Sequence, residues 1–218
     1  MTLMDEVYSY IENNYQSNEP IFMSDLNIQG INPVSVRQQI KRLTEYGKLK
    51  RFDTGIYYIP KKSIFRSGST LAIDEVIKRK YLVDGKNCCG YVGGLLFANQ
   101  LGLTTQVPAV YEVYINKATT DYRETRLANF RVIIRKPSYE INEKNVNTLQ
   151  FLDLLKEIVD VTEINGIELT SRLLNYMKEN NIRFERMSEF LPYYPERIYK
   201  NMYEVGLLNG VSAELEGD

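Results

Sequence analysis

The stretch over residues 32–60, NPVSVRQQIKRLTEYGKLKRFDTGIYYIP, constrains the fold more than any other part of this sequence. Asn32 followed by Pro33 favours a helix start, because asparagine caps free backbone N–H groups and proline fits the first helical position. The apolar residues that follow recur at helical spacing: Val36, Ile40 and Leu43. The pattern predicts a helix over residues 33–46 with one buried stripe.

A hairpin is predicted directly after this helix. Gly47 is suited to the left-handed conformation that ends helices. Two β-rich runs follow, at residues 49–52 and 56–59, and a three-residue loop with glycine at its end joins them. A polar-faced helix that leads straight into a basic hairpin is typical of winged helix-turn-helix proteins.

The residues upstream fit the same module. Apolar spacing predicts a first helix over residues 4–15, and residues 21–23 form a short apolar run. Ser24 is a candidate N-cap for a brief second helix over residues 24–28. The order is helix, short strand, helix, turn, helix and wing.

Charge is distributed unevenly, although the net charge is only −1. Residues 1–32 contain five acidic side chains and no lysine or arginine, whereas residues 33–66 contain nine basic side chains against two acidic ones. A basic cluster confined to one helix–hairpin unit is suited to phosphates. A solvated basic face without a partner remains the alternative.

The predicted helical wheel selects the candidate DNA-contact residues. With the apolar stripe facing inward, Ser35 and Gln38 lie near the start of the outer face and are the candidates for base edges. Lys41 and Arg42 are candidates for guanine or phosphate, and Arg37 for backbone phosphate. In the wing, Lys50 and Arg51 are expected next to the phosphates. Tyr57 and Tyr58 either pack beside them or are half-buried strand residues.

The sequence as a whole predicts an α+β fold in three parts. These are a winged helix-turn-helix DNA-binding domain (residues 1–66), an α/β domain (67–160) and a C-terminal helical region (161–218). The central part predicts helices over residues 70–81, 92–101 and 145–161 and strands over 110–115 and 130–135. Three further helices are predicted in the C-terminal region, over residues 167–180, 185–191 and 196–205.

Several function classes are disfavoured by what the sequence lacks. It contains no histidine, which removes the commonest general base and metal ligand. Cys88 and Cys89 are the only cysteines, and we expect a reducing, cytoplasmic setting for them. There is no apolar run long enough for a membrane span and no signal-peptide pattern at the start. Asp74 and Glu75 are adjacent on a predicted helix and point apart, so they form no metal cradle. We therefore expect no enzymatic activity, catalytic residue, metal or cofactor.

A second motif lies in the central part. A small-residue helix contains Gly93, Gly94, Leu96, Ala98 and Asn99, and the connector Leu-Gly-Leu-Thr-Thr-Gln-Val-Pro follows at residues 101–108. Together with the wing pattern of residues 47–60, this arrangement resembles the AbiEi-type antitoxins of bacterial type IV toxin–antitoxin (abortive infection) systems. The resemblance extends over residues 4–208.

The resemblance implies a transcriptional repressor that binds double-stranded DNA at its own promoter and counters a nucleotidyltransferase-like toxin. Antitoxins of this type need not bind the toxin directly, so no stable complex is implied. The residues alone leave an alternative open: a protein-interaction module that neutralises a partner, with the winged helix not used for DNA.

Overall fold

The computed structural model describes residues 2–61 and 69–208. The chain divides into two compact units, residues 1–80 and residues 81–218. The predicted domain boundary between residues 66 and 67 lies outside the described residues. Throughout the described ranges, no helix is both long enough and apolar enough to cross a membrane.

In the N-terminal unit, helix α1 (Leu3–Asn14) and helix α2 (Pro33–Glu45) pack around a small sheet. Strands β1 (Ile21–Phe22), β2 (Lys50–Asp53) and β3 (Ile56–Tyr58) are antiparallel in the order β1-β3-β2. A short helix, α3 (Ile73–Ile77), continues into a π-helical turn (Lys78–Leu82). The core residues of this unit come from both long helices, from β1 and from the connecting segments: Val7, Ile11, Ile21, Leu26, Ile28, Val36, Ile40, Leu43 and Leu49.

The predicted start and end of α2 are confirmed. The Asn32 side chain accepts a hydrogen bond from the Val34 amide at 2.8 Å, and Pro33 is the first helical residue. Gly47 has φ +70°, which a side chain would disfavour. The predicted hairpin is present, but its loop is the two residues 54–55 and not the predicted three, because Asp53 belongs to the strand and pairs with Ile56 after a register shift between Arg51 and Asp53.

The brief helix predicted over residues 24–28 is wrong, because this segment forms a turn followed by chain without regular secondary structure. The Met23 amide donates to the Gly55 carbonyl oxygen at 2.8 Å, which ties the segment to the hairpin loop. Ser24 donates its hydroxyl to the Asp25 carboxylate instead of capping a helix. Leu26 and Ile28 are both buried in the N-terminal core.

The C-terminal unit is built on a mixed four-stranded sheet with the order β6-β7-β9-β8. Its strands are β6 (Gly90–Gly93), β7 (Val110–Ile115), β8 (Tyr122–Leu127) and β9 (Phe130–Arg135), after a small hairpin of β4 (Val83–Asp84) and β5 (Asn87–Cys88). Strands β7 and β9 are parallel, whereas the β6–β7 and β8–β9 pairs are antiparallel. The prediction missed β4, β5, β6 and β8, and the helix predicted over residues 92–101 begins only at Gly94, because residues 92–93 pair with β7 as the end of β6.

Five helices complete the described part of this unit. They are α4 (Gly94–Gln100), α5 (Val146–Val161), α6 (Gly166–Glu179), α7 (Phe184–Phe190) and α8 (Arg197–Glu204). Helix α5 is central, since it contacts β6, α4, α7 and α8 and contributes fully buried Leu149, Phe151 and Leu152. The α+β class is therefore confirmed: N-terminal helices with a small sheet, a mixed four-stranded sheet and C-terminal helices.

Candidate nucleic-acid interface

Helix α2 has one buried and one exposed face, as the sequence predicts. Val36, Ile40 and Leu43 are at most 1% exposed and pack into the N-terminal core. The predicted contact residues on the outer face are Arg37, Gln38, Lys41 and Arg42, which are all exposed, and Ser35, which is half-buried. The burial of the stripe thus fixes which side chains α2 presents to solvent.

The three basic residues of α2 lie on two flanks of its outer face. Since successive helical residues are rotated by about 100°, Arg37 and Lys41 fall on one side of Gln38 and Arg42 falls on the other. Arg42 borders a groove of about 570 Å³ together with Leu3 and other residues at the start of α1. A polar centre therefore has positive charge on both sides.

The hairpin positions the two predicted wing residues differently. Arg51 is exposed, and its guanidinium donates to the Asp53 carbonyl oxygen at 3.2 Å and to Thr54 Oγ1 at 2.8 Å. Lys50 is half-buried and pairs with Tyr58 across the strands. Tyr58 is buried and donates to the Ser69 carbonyl oxygen, so this tyrosine belongs to the packing of the hairpin.

Few acidic side chains neutralise these cations. Lys41 lies 3.9 Å from Glu45 with both side chains mostly exposed, a pair worth at most about 1 kcal/mol. Within the described ranges, Arg37 and Arg42 form no ion pair. Lys48 was not among the predicted contact residues, and it lies over the Tyr8 ring at 4.4 Å, between α2 and the wing. The position of Lys48 directly after Gly47, between the predicted helix and the predicted wing, was the sequence signal that could have identified it.

The connector (residues 101–108) is held by hydrogen bonds. Glu163 accepts from the Thr105 amide at 2.7 Å, from the Thr105 hydroxyl at 2.9 Å and from Gln106 Nε2 at 3.0 Å. These donors lower the pKa of Glu163 to about 2. Asn99 donates to the carbonyl oxygens of Thr104 and Gln106. The polar residues of the motif therefore have a structural role.

The glycines of the second motif also have a packing reason. A Cβ atom on Gly93 would lie 2.5 Å from the Tyr114 ring, and Gly94 has φ +58° with Glu112 beside it. The chain thus turns from β6 into α4 directly over β7, which only glycine permits.

A buried polar cluster lies beneath these glycines, between the sheet and α5. Asp153 is almost fully buried and accepts from Lys156 Nζ at 2.6 Å and from the hydroxyls of Tyr91 and Tyr194. Burial raises the pKa of Asp153, although all three donors act in the opposite direction. Desolvation also raises the pKa of Tyr91 and Tyr194. No sequence motif predicts this cluster, because its members lie far apart along the chain.

An ion pair extends this cluster across the sheet. Arg135 donates to Glu112 at 2.9 Å, and the Tyr114 hydroxyl donates to the same carboxylate at 3.2 Å. Both acidic groups are therefore engaged by basic or hydroxyl partners. Across the parts of the chain that the structure describes, no three His, Cys, Asp or Glu residues group in a way that could hold a metal ion.

Comparison with known proteins gives no identification, since no protein-family model and no curated protein sequence matches this chain.

Proposed function

We propose that this chain is a DNA-binding transcriptional autorepressor and the antitoxin of a type IV toxin–antitoxin system that counters a nucleotidyltransferase-like toxin. One observation carries the DNA-binding part. Helix α2 buries its apolar stripe, exposes a polar centre with cations on both flanks, and leads directly into a basic hairpin. A helix in the major groove has bases beneath its centre and a phosphate chain on each side, which matches this distribution.

In this proposal the N-terminal unit is a winged helix-turn-helix in which turns replace the middle helix. Helix α2 is the recognition helix, with Ser35 and Gln38 towards base edges. Arg37 and Lys41 contact phosphates on one side of the groove, and Arg42 contacts them on the other. The wing adds Lys50 and Arg51, and the bonds that anchor Arg51 to its own loop reduce the entropy lost on binding.

The salt dependence of binding to the upstream promoter DNA tests this interface. Each phosphate contact contributes about −0.9 to the slope of log K against log salt concentration. Replacing Arg42 by Ala should therefore weaken binding and make the slope shallower by about 0.9. Fluorescence anisotropy with a labelled promoter duplex measures both quantities.

Arg197→Ala, on an exposed position of α8, is the matched control and should leave affinity and slope unchanged. Gln38→Ala should reduce the preference for promoter over unrelated DNA while keeping the slope. The absence of binding to upstream DNA at low salt would exclude the proposed DNA-binding function.

The antitoxin part depends on the resemblance of residues 93–108 and of the wing to AbiEi-type antitoxins. Its test is co-expression with a nucleotidyltransferase encoded by the neighbouring gene, with growth as the measurement. Rescue of growth by the chain supports the proposal, whereas toxicity that persists at full expression of the chain contradicts it.

A second candidate, a protein-interaction module, is favoured by one observation on the connector. Val107 is 87% exposed within a segment that hydrogen bonds hold in place, and Ile167 at the start of α6 is equally exposed. Replacing both by Glu in the full chain should abolish rescue without changing DNA binding if these residues contact a protein partner. Unchanged rescue would exclude this surface.

A further inference from the structure

A pocket of about 260 Å³ lies on the C-terminal unit, between the segment before α5 and helix α7 with its following turn. Three aromatic rings form one wall. The Tyr139 ring lies 5.1 Å from Phe190 and 4.9 Å from Tyr193, measured between ring centroids. Phe190 is buried, whereas Tyr139 is 39% and Tyr193 is 56% exposed. The wall thus presents aromatic surface to whatever enters the pocket.

Charged side chains that the fold leaves unused line the same pocket. They are Lys144, Arg186 and Glu189. Arg186 and Glu189 are three residues apart on α7, where ion pairs often form, yet neither they nor Lys144 has an ion-pair partner among the residues that the structure describes. Two cations and one carboxylate are therefore available to a ligand.

These three features match two parts of a nucleotide, the base and the phosphate. Exposed aromatic rings stack on a base, arginine and lysine bind a phosphate, and a carboxylate accepts from an exocyclic amino group of a base. The pocket is also of a size for one nucleotide rather than for a longer segment.

We propose that this pocket binds one nucleotide whose base bears an exocyclic amino group, with Tyr193 stacking on the base, Arg186 and Lys144 binding the phosphate, and Glu189 accepting from the amino group. The site lies on the C-terminal unit, whereas the candidate DNA interface lies on the N-terminal unit, and the proposal does not depend on the proposed function. The nucleotide is either free or part of a single strand, and both present the same chemistry.

Calorimetric titration of the full chain tests the proposal with AMP, UMP, adenosine and ribose 5-phosphate. We expect saturable binding of AMP, weaker binding of UMP, and much weaker binding of the two ligands that lack phosphate or base. Tyr193→Ala and Arg186→Ala should each weaken AMP binding about tenfold. Glu189→Ala should reduce the difference in affinity between AMP and UMP.

Two substitutions outside the pocket are matched controls: Tyr199→Ala, an exposed ring on α8, and Arg197→Ala, an exposed arginine on the same helix. Neither should change AMP binding. A short oligoadenylate that binds more tightly than AMP identifies a single strand as the source, and equal affinity identifies the free nucleotide. Failure of AMP to bind at millimolar concentration, or AMP binding that Tyr193→Ala and Arg186→Ala leave unchanged, would overturn the proposal.

Discussion

The buried pair of Asp153 and Lys156 supports a quantitative test of how the C-terminal unit is stabilised. The Asp153 side chain is 2% exposed and the Lys156 side chain is 17% exposed, so each depends on the other for compensation of its charge. Removing one partner of a buried pair costs about 3–5 kcal/mol, because the remaining charge is left unpaired in a poorly solvated site.

We expect Lys156→Met to cost about 3 kcal/mol at neutral pH, at the lower end of this range because Tyr91 and Tyr194 still donate to Asp153. Asp153→Asn should cost less, since Glu157 lies 3.8 Å from Lys156 and retains part of the charge compensation. The double substitution should cost at least about 1 kcal/mol less than the sum of the two single ones, because no buried charge remains unpaired.

The pH dependence of stability provides a second test of this pair. Since burial raises the folded-state pKa of Asp153, the stability that this group contributes is fully present below its unfolded pKa of 3.8 and is lost as the pH rises through the folded pKa. Loss of Lys156 raises that pKa further. The deficit of Lys156→Met should therefore shrink at mildly acidic pH.

Hydrogen exchange of peptides from α5 is the appropriate assay, because it reports on the C-terminal unit alone. Lys200→Met, which removes an exposed lysine paired with Glu204, is the matched control and should cost little. If the stability cost of the double variant equals the sum of the two single costs, the argument is refuted.

Three further predictions concern separate sites. Among the described residues, the Oε1 atom of the buried Gln39 has no hydrogen-bond partner. Gln39→Met should therefore stabilise the N-terminal unit by about 1 kcal/mol in urea denaturation, and destabilisation would contradict this. The pKa of Glu163, lowered to about 2, means that its contribution is present above the unfolded pKa of 4.5 and is lost as the pH falls towards 2. The NMR chemical shift of the Thr105 amide should change with pH as Glu163 titrates, and this pH dependence should be absent in Glu163→Gln. A midpoint near 4.5 would contradict the lowered pKa. Ala128 has φ +51° in the two-residue β8–β9 loop, so Ala128→Gly should stabilise the C-terminal unit by about 0.5 kcal/mol, and a lower urea midpoint would disprove the assignment of strain.

The sequence predicts an element well where its local signals agree with its burial. Helix α2 begins at a capped Asn32, ends before Gly47 and carries an apolar stripe, and all three signals are local. Strand β8 was missed because it is an edge strand whose side chains are mostly exposed, so YRETRL has no apolar alternation. The helix predicted at Ser24 failed because a bond to the distant Gly55 determines that segment.

The same distinction applies to the candidate sites. The exposed face of α2 follows from the periodicity of its own residues, so its side chains could be predicted. The aromatic pocket joins Tyr139 to Phe190 and Tyr193, and the buried cluster joins Tyr91 to Asp153 and Tyr194. Only tertiary packing brings such residues together, and no spacing rule describes it.

The strand order β6-β7-β9-β8 has a consequence for synthesis on the ribosome. When strand β7 leaves the ribosome, only β6 is available to pair with it. The other edge of β7 stays unpaired until β9, which pairs there, has also been synthesised. At about 5–20 residues per second, the twenty residues that follow Ile115, up to Arg135, take on the order of a second or more to add. During that interval the nascent chain presents the apolar strand VYEVYI with one open edge. Cotranslational chaperones and neighbouring nascent chains can therefore reach the open edge of β7 before β9 pairs there.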